Sequence, residues 1–202
     1  MTAHPVPRPA VLLDRDGTIN EDVGYLSTLS QLTLYPWAID AIRLLKRAGY
    51  VVAMVTNQGG IGRGMIAPSF LAEVHGEIDR RLAAAGAAVD GWYHCPHHPD
   101  ALVEPLRMVC DCRKPAPGMA LAAARDLGLD LTRSWMVGDK WADVQLGQRV
   151  GARTILLRTG WGRIEEAVRP DGQTVDAVCD TLAGAVAHLL DADRGGPAAA
   201  RG

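Results

Sequence analysis

The sequence predicts an α/β fold, a Rossmann-like three-layer α/β/α sandwich with a central parallel sheet. Three observations predict it. Short apolar runs alternate with segments of helical periodicity, the βα order that builds parallel sheets. The runs themselves, such as Ala10-Val11-Leu12-Leu13, are apolar throughout, as strands covered on both faces must be. Three of the runs end in dense polar clusters, and open parallel sheets bind ligands beyond the carboxyl ends of their strands.

The elements follow in order. Residues 10–13 are a strand ending at Asp14, and residues 38–48 a helix with Ile39, Ile42, Leu45 and Ala48 on one side, stopped by Gly49. A β-rich strand at 51–55 ends at Thr56. Ser69 is placed to cap a helix that reaches residue 85, with Gly86 as its stop. A strand is expected at 89–93, a helix at 118–127 ending before Gly128, and a strand at 135–137 leading into Gly138-Asp139. Residues 141–150 read as helix, 154–157 and 176–179 as strands, and Thr181 caps a last helix to residue 190. Residues 10–191 form one domain, with flexible tails at 1–9 and 192–202. The inserts between strands are too small for a separate cap domain, so loops should cover the site.

Composition narrows the function. A chain of 202 residues with 48% hydrophobic and 22% charged content is an ordinary single soluble domain. The net charge of −2 disfavours a nucleic-acid binder. No secretory signal and no run of about 18 apolar residues occur, so a cytoplasmic monomer with no membrane partner is expected.

The chemistry lies at the strand ends. Asp14-Arg15-Asp16-Gly17-Thr18 follows the first strand, Thr56-Asn57-Gln58 the second, and Gly138-Asp139-Lys140 with Asp143 a later one. Asp14 and Asp16 are two apart, so in extended chain both carboxylates face one site and Arg15 points away. Neighbouring carboxylates divide into nucleophile and acid/base, or recruit a hard cation such as Mg²⁺. Carboxylates, a cation and lysine together suit phosphoryl transfer. Gly60-Ile61-Gly62 begins a dinucleotide fingerprint that fails at Met65, so residues 59–64 read as a flexible phosphate-side loop.

These residues resemble the haloacid dehalogenase-like phosphatases. Asp14-Arg15-Asp16-Gly17-Thr18, Thr56, Lys114, and Asp139 with Asp143 match that family's four motifs in order. Thr56-Asn57-Gln58-Gly59, Cys95-Pro96-His97-His98-Pro99 and Cys110-Asp111-Cys112-Arg113-Lys114-Pro115 narrow the resemblance to the heptose 1,7-bisphosphate 7-phosphatase branch. The resemblance implies removal of the 7-phosphate of a heptose bisphosphate through an aspartyl-phosphate, in nucleotide-activated heptose biosynthesis. Asp14 would be the nucleophile and Asp16 the acid/base. Thr56 and Lys114 would steady the phosphoryl group. Mg²⁺ would be held by Asp14, the Asp16 backbone carbonyl and Asp139. Asp22, Val23, Gly24, Tyr25, Thr56, Asn57, Gln58, Gly59, Arg113, Lys114 and Lys140 would contact the sugar phosphate. Histidinol-phosphate phosphatases share much of this pattern, and polynucleotide 3′-phosphatases share the first two motifs.

Cys95-x-His97 and Cys110-x-Cys112 offer a Cys₃His set suited to tetrahedral Zn²⁺. Spacing leaves His94 and His98 as rival ligands, and the resemblance selects His97. Four protein ligands leave no open position, so the zinc would be a structural staple for a loop that ends at Arg113 and Lys114. Cys179, in an apolar run, reads as a core thiol; Trp141 and Trp161 follow strand ends, where they either border the site or, as preferred, serve packing.

Overall fold

The computed structural model describes residues 6–195. Strands β1 (Ala10–Leu13), β2 (Val51–Asn57), β3 (Gly91–Cys95), β4 (Trp135–Gly138), β5 (Arg153–Leu157) and β6 (Ala177–Cys179) form one sheet in the order β3-β2-β1-β4-β5-β6. Every pairing is parallel. The chain leaves β1 toward β2 and β3 on one side and returns to β4 on the other. The crevice at this reversal of strand order therefore opens between the carboxyl ends of β1 and β4.

Alternation along the strands builds the two outer layers. Val11, Leu13, Val52, Met54, Trp135 and Val137 pack on one face with Ile42 of α1 (Ala38–Arg47), Ile78 of α3 (Pro68–Ala84) and Leu189 of α7 (Leu182–Gly195). Leu12, Ala53, Val55 and Met136 pack on the other with Met119 and Ala123 of α4 (Gly118–Leu127) and Leu146 of α5 (Trp141–Arg149). Gly128 ends α4 in the left-handed region at φ 64°, which lets its N–H close on Ala124. Cys179 is half-buried against the first of these cores. No helix among the described residues is long and apolar enough to cross a membrane.

Several expectations need correction. Pro68, not Ser69, opens α3: Ala67 stands extended before it, and proline suits the first helical position because its missing N–H would go unpaired there anyway. Strand β3 lies two residues later than expected, because the Asp90 carboxylate takes the Val52 N–H at 2.7 Å ahead of the ladder. Residues 59–64 are not a flexible loop. They begin with a buried helical turn, α2 (Gly59–Gly62). Glycine is needed there because a side chain on Gly60 would meet Ile66 and Tyr25, and one on Gly62 the Pro96 carbonyl. A further helix, α6 (Gly162–Ala167), follows β5.

Backbone bonds and helix reach a few residues into both expected tails. Arg8 exchanges backbone bonds with Gly128 (3.0 Å) and Asp130 (2.9 Å), so it is tied to the sheet's lower edge. Helix α7 continues past residue 191 to Gly195, and Asp193 accepts from Tyr50 and Arg153. The remaining parts of the expected tails, 1–5 and 196–202, lie outside the described residues.

Candidate active site

The Asp14 N–H donates to the Val137 carbonyl at 3.0 Å, so the β1–β4 ladder continues one residue past β1 and carries Asp14 into the crevice. Its Oδ1 lies 2.7 Å from Lys114 Nζ, which also lies 2.6 Å from Asp143 Oδ1 and donates to the Val55 carbonyl at 2.8 Å. Lys114 is buried and arrives from the far end of the long loop. Asn57 fastens it: the Asn57 side chain donates to the Lys114 carbonyl (3.1 Å) and accepts its N–H (3.0 Å). Asp14, Asp16, Thr56 and Lys114 line a cavity of about 100 Å³, together with Asp22, Gly24, Asn57, Lys140, Ala142 and Asp143.

Asp14, Asp139 and Asp143 each bring a carboxylate oxygen within 4.8 Å of the others. Asp139 is completely buried and its Oδ1 has no hydrogen-bond partner, while Oδ2 accepts the Trp161 N–H at 2.8 Å. Burial, then the charges of Asp14 and Asp143, push the Asp139 carboxyl up to about 8. Burial raises Asp14 as well, to about 6, against the pull of Lys114. Buried oxygens that resist ionisation and point an orphaned lone pair inward fit a hard divalent cation. The close approach depends on glycine. Gly17 and Gly160 have φ +82° and +51°, and a Cβ on either would overlap the Asp139 carboxylate. One on Gly138 would overlap that of Asp143.

The Asp16 side chain is not part of this cluster. Its carboxylate accepts from Arg15, from Asn20 Nδ2 at 3.0 Å and from Gln58 Nε2 at 2.9 Å. Burial acts to raise its pKa, but the Arg15 guanidinium and these bonds outweigh it and hold Asp16 low. Arg15 is not among the cavity-lining residues, so it points away from the site as strand alternation implies. Its guanidinium is buried behind the cavity, against the Asp16 carboxylate.

Of the other expected contact residues, Asp22, Gly24, Thr56, Asn57 and Lys140 reach the cavity wall. Val23, Tyr25, Gln58, Gly59 and Arg113 lie outside the lining. Gln58 braces Asp16 and Thr56, Tyr25 accepts from Arg63 at 2.6 Å, and Arg113 donates to the His97 carbonyl at 3.1 Å. Trp141 is buried as expected, but Trp161 is 49% exposed and borders the site. The sequence carries no signal for Gly160, and for Trp161 only its position just past β5, which places it at the border of the site as the lesser alternative to packing.

At the loop, Cys95, His97, Cys110 and Cys112 converge. Sulfur separations are 3.1–3.5 Å, and His97 Nδ1 lies 3.2 Å from the Cys112 sulfur. Sulfurs this far apart are not disulfide-bonded, and the separations fit four donors arranged around one ion. The rival histidines are committed elsewhere. His98 contacts Arg63 and accepts the Asp100 N–H, and His94 packs edge-on against His75.

The family described as HAD-hydrolase-like matches residues 111–185. The D-glycero-β-D-manno-heptose-1,7-bisphosphate 7-phosphatase of Photorhabdus laumondii is 42% identical over 174 residues, 85% of this chain and 92% of that protein. The chain belongs to this phosphatase family. The Salmonella typhi enzyme of the same name is 41% identical over 173 residues, 85% of this chain and 92% of its own. The crystal structure of D,D-heptose 1,7-bisphosphate phosphatase from B. bronchiseptica, complexed with magnesium and phosphate, superposes with a TM-score of 0.81 at 34% identity. It covers 91% of this chain and 99% of that one. Its architecture is thus that of a phosphoric monoester hydrolase of the heptose bisphosphate phosphatase family.

Proposed function

We propose that this enzyme removes the 7-phosphate of D-glycero-D-manno-heptose 1,7-bisphosphate, with a preference for the β anomer named in its relatives. The observation that carries the reading is the Asp14–Lys114–Asp143 contact set beside Asp139, in the wall of one small polar cavity. A Asp14 carboxylate oxygen attacks phosphorus, and the sugar's O7 leaves. Asp16 gives that alkoxide its proton. It is ionised in the resting site, and the negative charge of an arriving phosphate raises its affinity for the proton. Asp16 then takes a proton from water, whose oxygen attacks the aspartyl-phosphate and frees Asp14 and inorganic phosphate. Lys114 and the Thr56 hydroxyl hold the equatorial oxygens in line.

Asp14, Asp139 and the Asp16 backbone carbonyl would hold Mg²⁺, with Asp143 positioning Lys114 beside them. The ion would supply charge neutralisation at the phosphoryl oxygens. The Cys95, His97, Cys110 and Cys112 set would hold a structural zinc. Asp22, Gly24, Asn57 and Lys140 would meet the substrate at the cavity wall, with Arg113 beyond it. Three unpaired thiols around one site suit a reducing cytoplasm, and one chain supplies every group, so a monomer suffices.

The test is phosphate release from both anomers of the bisphosphate, from histidinol phosphate and from a 3′-phosphorylated oligonucleotide. The expected order of kcat/KM is β anomer, α anomer, then the other two far behind. Histidinol phosphate turned over as well as the heptose would overturn the substrate assignment.

A further inference from the structure

Trp161 is a large aromatic residue left 49% exposed beside a polar site. Its mount is rigid. Its N–H is bonded to Asp139 Oδ2 at 2.8 Å. The glycines on either side, Gly160 and Gly162, let the backbone press against Asp139 and the Leu157 carbonyl, where any Cβ would collide. The ring is tethered too. Indole Nε1 donates to Asp22 Oδ2 at 3.0 Å, the same oxygen that lies 3.1 Å from Lys140 Nζ. That ammonium lies 5.9 Å from the ring centroid. Asp22 and Lys140 form part of the cavity wall, whereas Trp161 stands just outside it.

Asp14, Thr56 and Lys114 hold the phosphoryl group on one side of the cavity, and the leaving sugar extends from there toward the Asp22 and Lys140 wall. An aromatic face held there offers apolar surface to the C–H side of a sugar, while Asp22 and Lys140 take its hydroxyls. Trp161 spends neither hydrogen bonds nor rotamer freedom to do so, because both are already committed in the free enzyme. Resting on the function proposed above, we infer that the Trp161 ring is the platform on which the heptose ring of the substrate is seated, and that it sets specificity for the leaving group.

The experiment compares wild type, Trp161→Ala and Trp161→Phe on heptose bisphosphate and on acetyl phosphate, which brings a phosphoryl group without a sugar. Alanine should raise KM for the bisphosphate roughly three- to tenfold with kcat largely kept, and have a much smaller effect on acetyl phosphate. Phenylalanine retains a ring but no N–H, and should restore most of the KM. Substrate should quench tryptophan fluorescence in wild type and less in Trp161→Phe. Unchanged KM in Trp161→Ala overturns the inference alone. So does an equal loss in Trp161→Phe, which would assign the effect to the Asp22 tether, or a parallel loss on acetyl phosphate. A wild-type enzyme inert on the bisphosphate overturns the function reading as well.

Discussion

The guanidinium of Arg15 grips both carboxylate oxygens of Asp16, with Nη2 2.8 Å from Oδ1 and 2.6 Å from Oδ2. Arg15 is 2% exposed, while the Asp16 side chain is 19% exposed and lines the cavity, so this bidentate, charge-assisted pair is buried on its cationic side. Removing Arg15 deletes this charge-assisted pair but leaves Asp16 its Asn20 and Gln58 bonds and its opening to the cavity. Arg15→Met should destabilise the fold by about 2 kcal/mol. The pH dependence has a definite sign. A carboxyl held below its ordinary value of 3.8 contributes stability above that pH and loses it as pH falls through the lowered value. Without Arg15 the acid-side loss should begin at a higher pH. Urea midpoints of both proteins between about pH 3 and 7 measure this, and parallel curves would refute it.

Asp139 and Asp14 titrate in the opposite sense. Raised to about 8 and about 6, they bind protons when folded that the unfolded chain releases. Without a cation, their contribution to stability therefore falls as pH rises from about 4 to 8. A divalent cation should replace those protons. Mg²⁺ added to chelator-treated enzyme should raise Tm, and more at pH 8 than at pH 5, where protons compete for the same oxygens. Equal shifts at both pH values would contradict the assignment of these carboxylates as ligands.

Zinc content offers an independent check on the loop. Purified protein should carry close to one equivalent of zinc, and Cys112→Ser should lose most of it. Because the loop delivers Arg113 and Lys114, the variant should lose activity and become sensitive to protease between residues 96 and 111. A zinc-free variant with wild-type kcat would sever the staple from catalysis.

Gly160→Ala tests the packing around Asp139. A methyl there overlaps the Asp139 carboxylate and would sit 2.6 Å from Gly17 Cα. The variant should fold, because it alters one loop, yet need roughly tenfold more Mg²⁺ for half-maximal activity. A magnesium titration of the rate at saturating substrate reads this directly. An unchanged midpoint would show that the loop yields more easily than the contacts imply.

Much of the site was legible in the sequence because strand periodicity and motif order carry it. Asp14, Thr56 and Asp139 each follow an apolar run, and a parallel sheet brings such ends together whatever the rest of the chain does. The Cys₃His set was legible because thiolate and imidazole clustered in a proline-containing loop have few other uses. Other features left no local mark. Alternation sends Arg15 away from the site, but nothing local shows that its guanidinium comes back to the Asp16 carboxylate. Gln58 resembles a substrate ligand in the motif, yet its side chain is spent on Asp16 and Thr56. Residues 59–64 looked flexible because glycine permits both mobility and close packing, and composition does not separate the two.

The sequence by itself determined the parallel α/β architecture, the four motifs and the candidate ligands, since each rests on residue type and short-range spacing. The tertiary structure alone decided how far the Cys95, His97, Cys110 and Cys112 donors converge, what Arg15 pairs with, and that Trp161 stands at the rim. Those outcomes depend on contacts across long stretches of chain, such as Trp161 to Asp22 and Lys114 to Asp14. Their distances and directions are set by how the sheet and loops pack, and no local pattern encodes them.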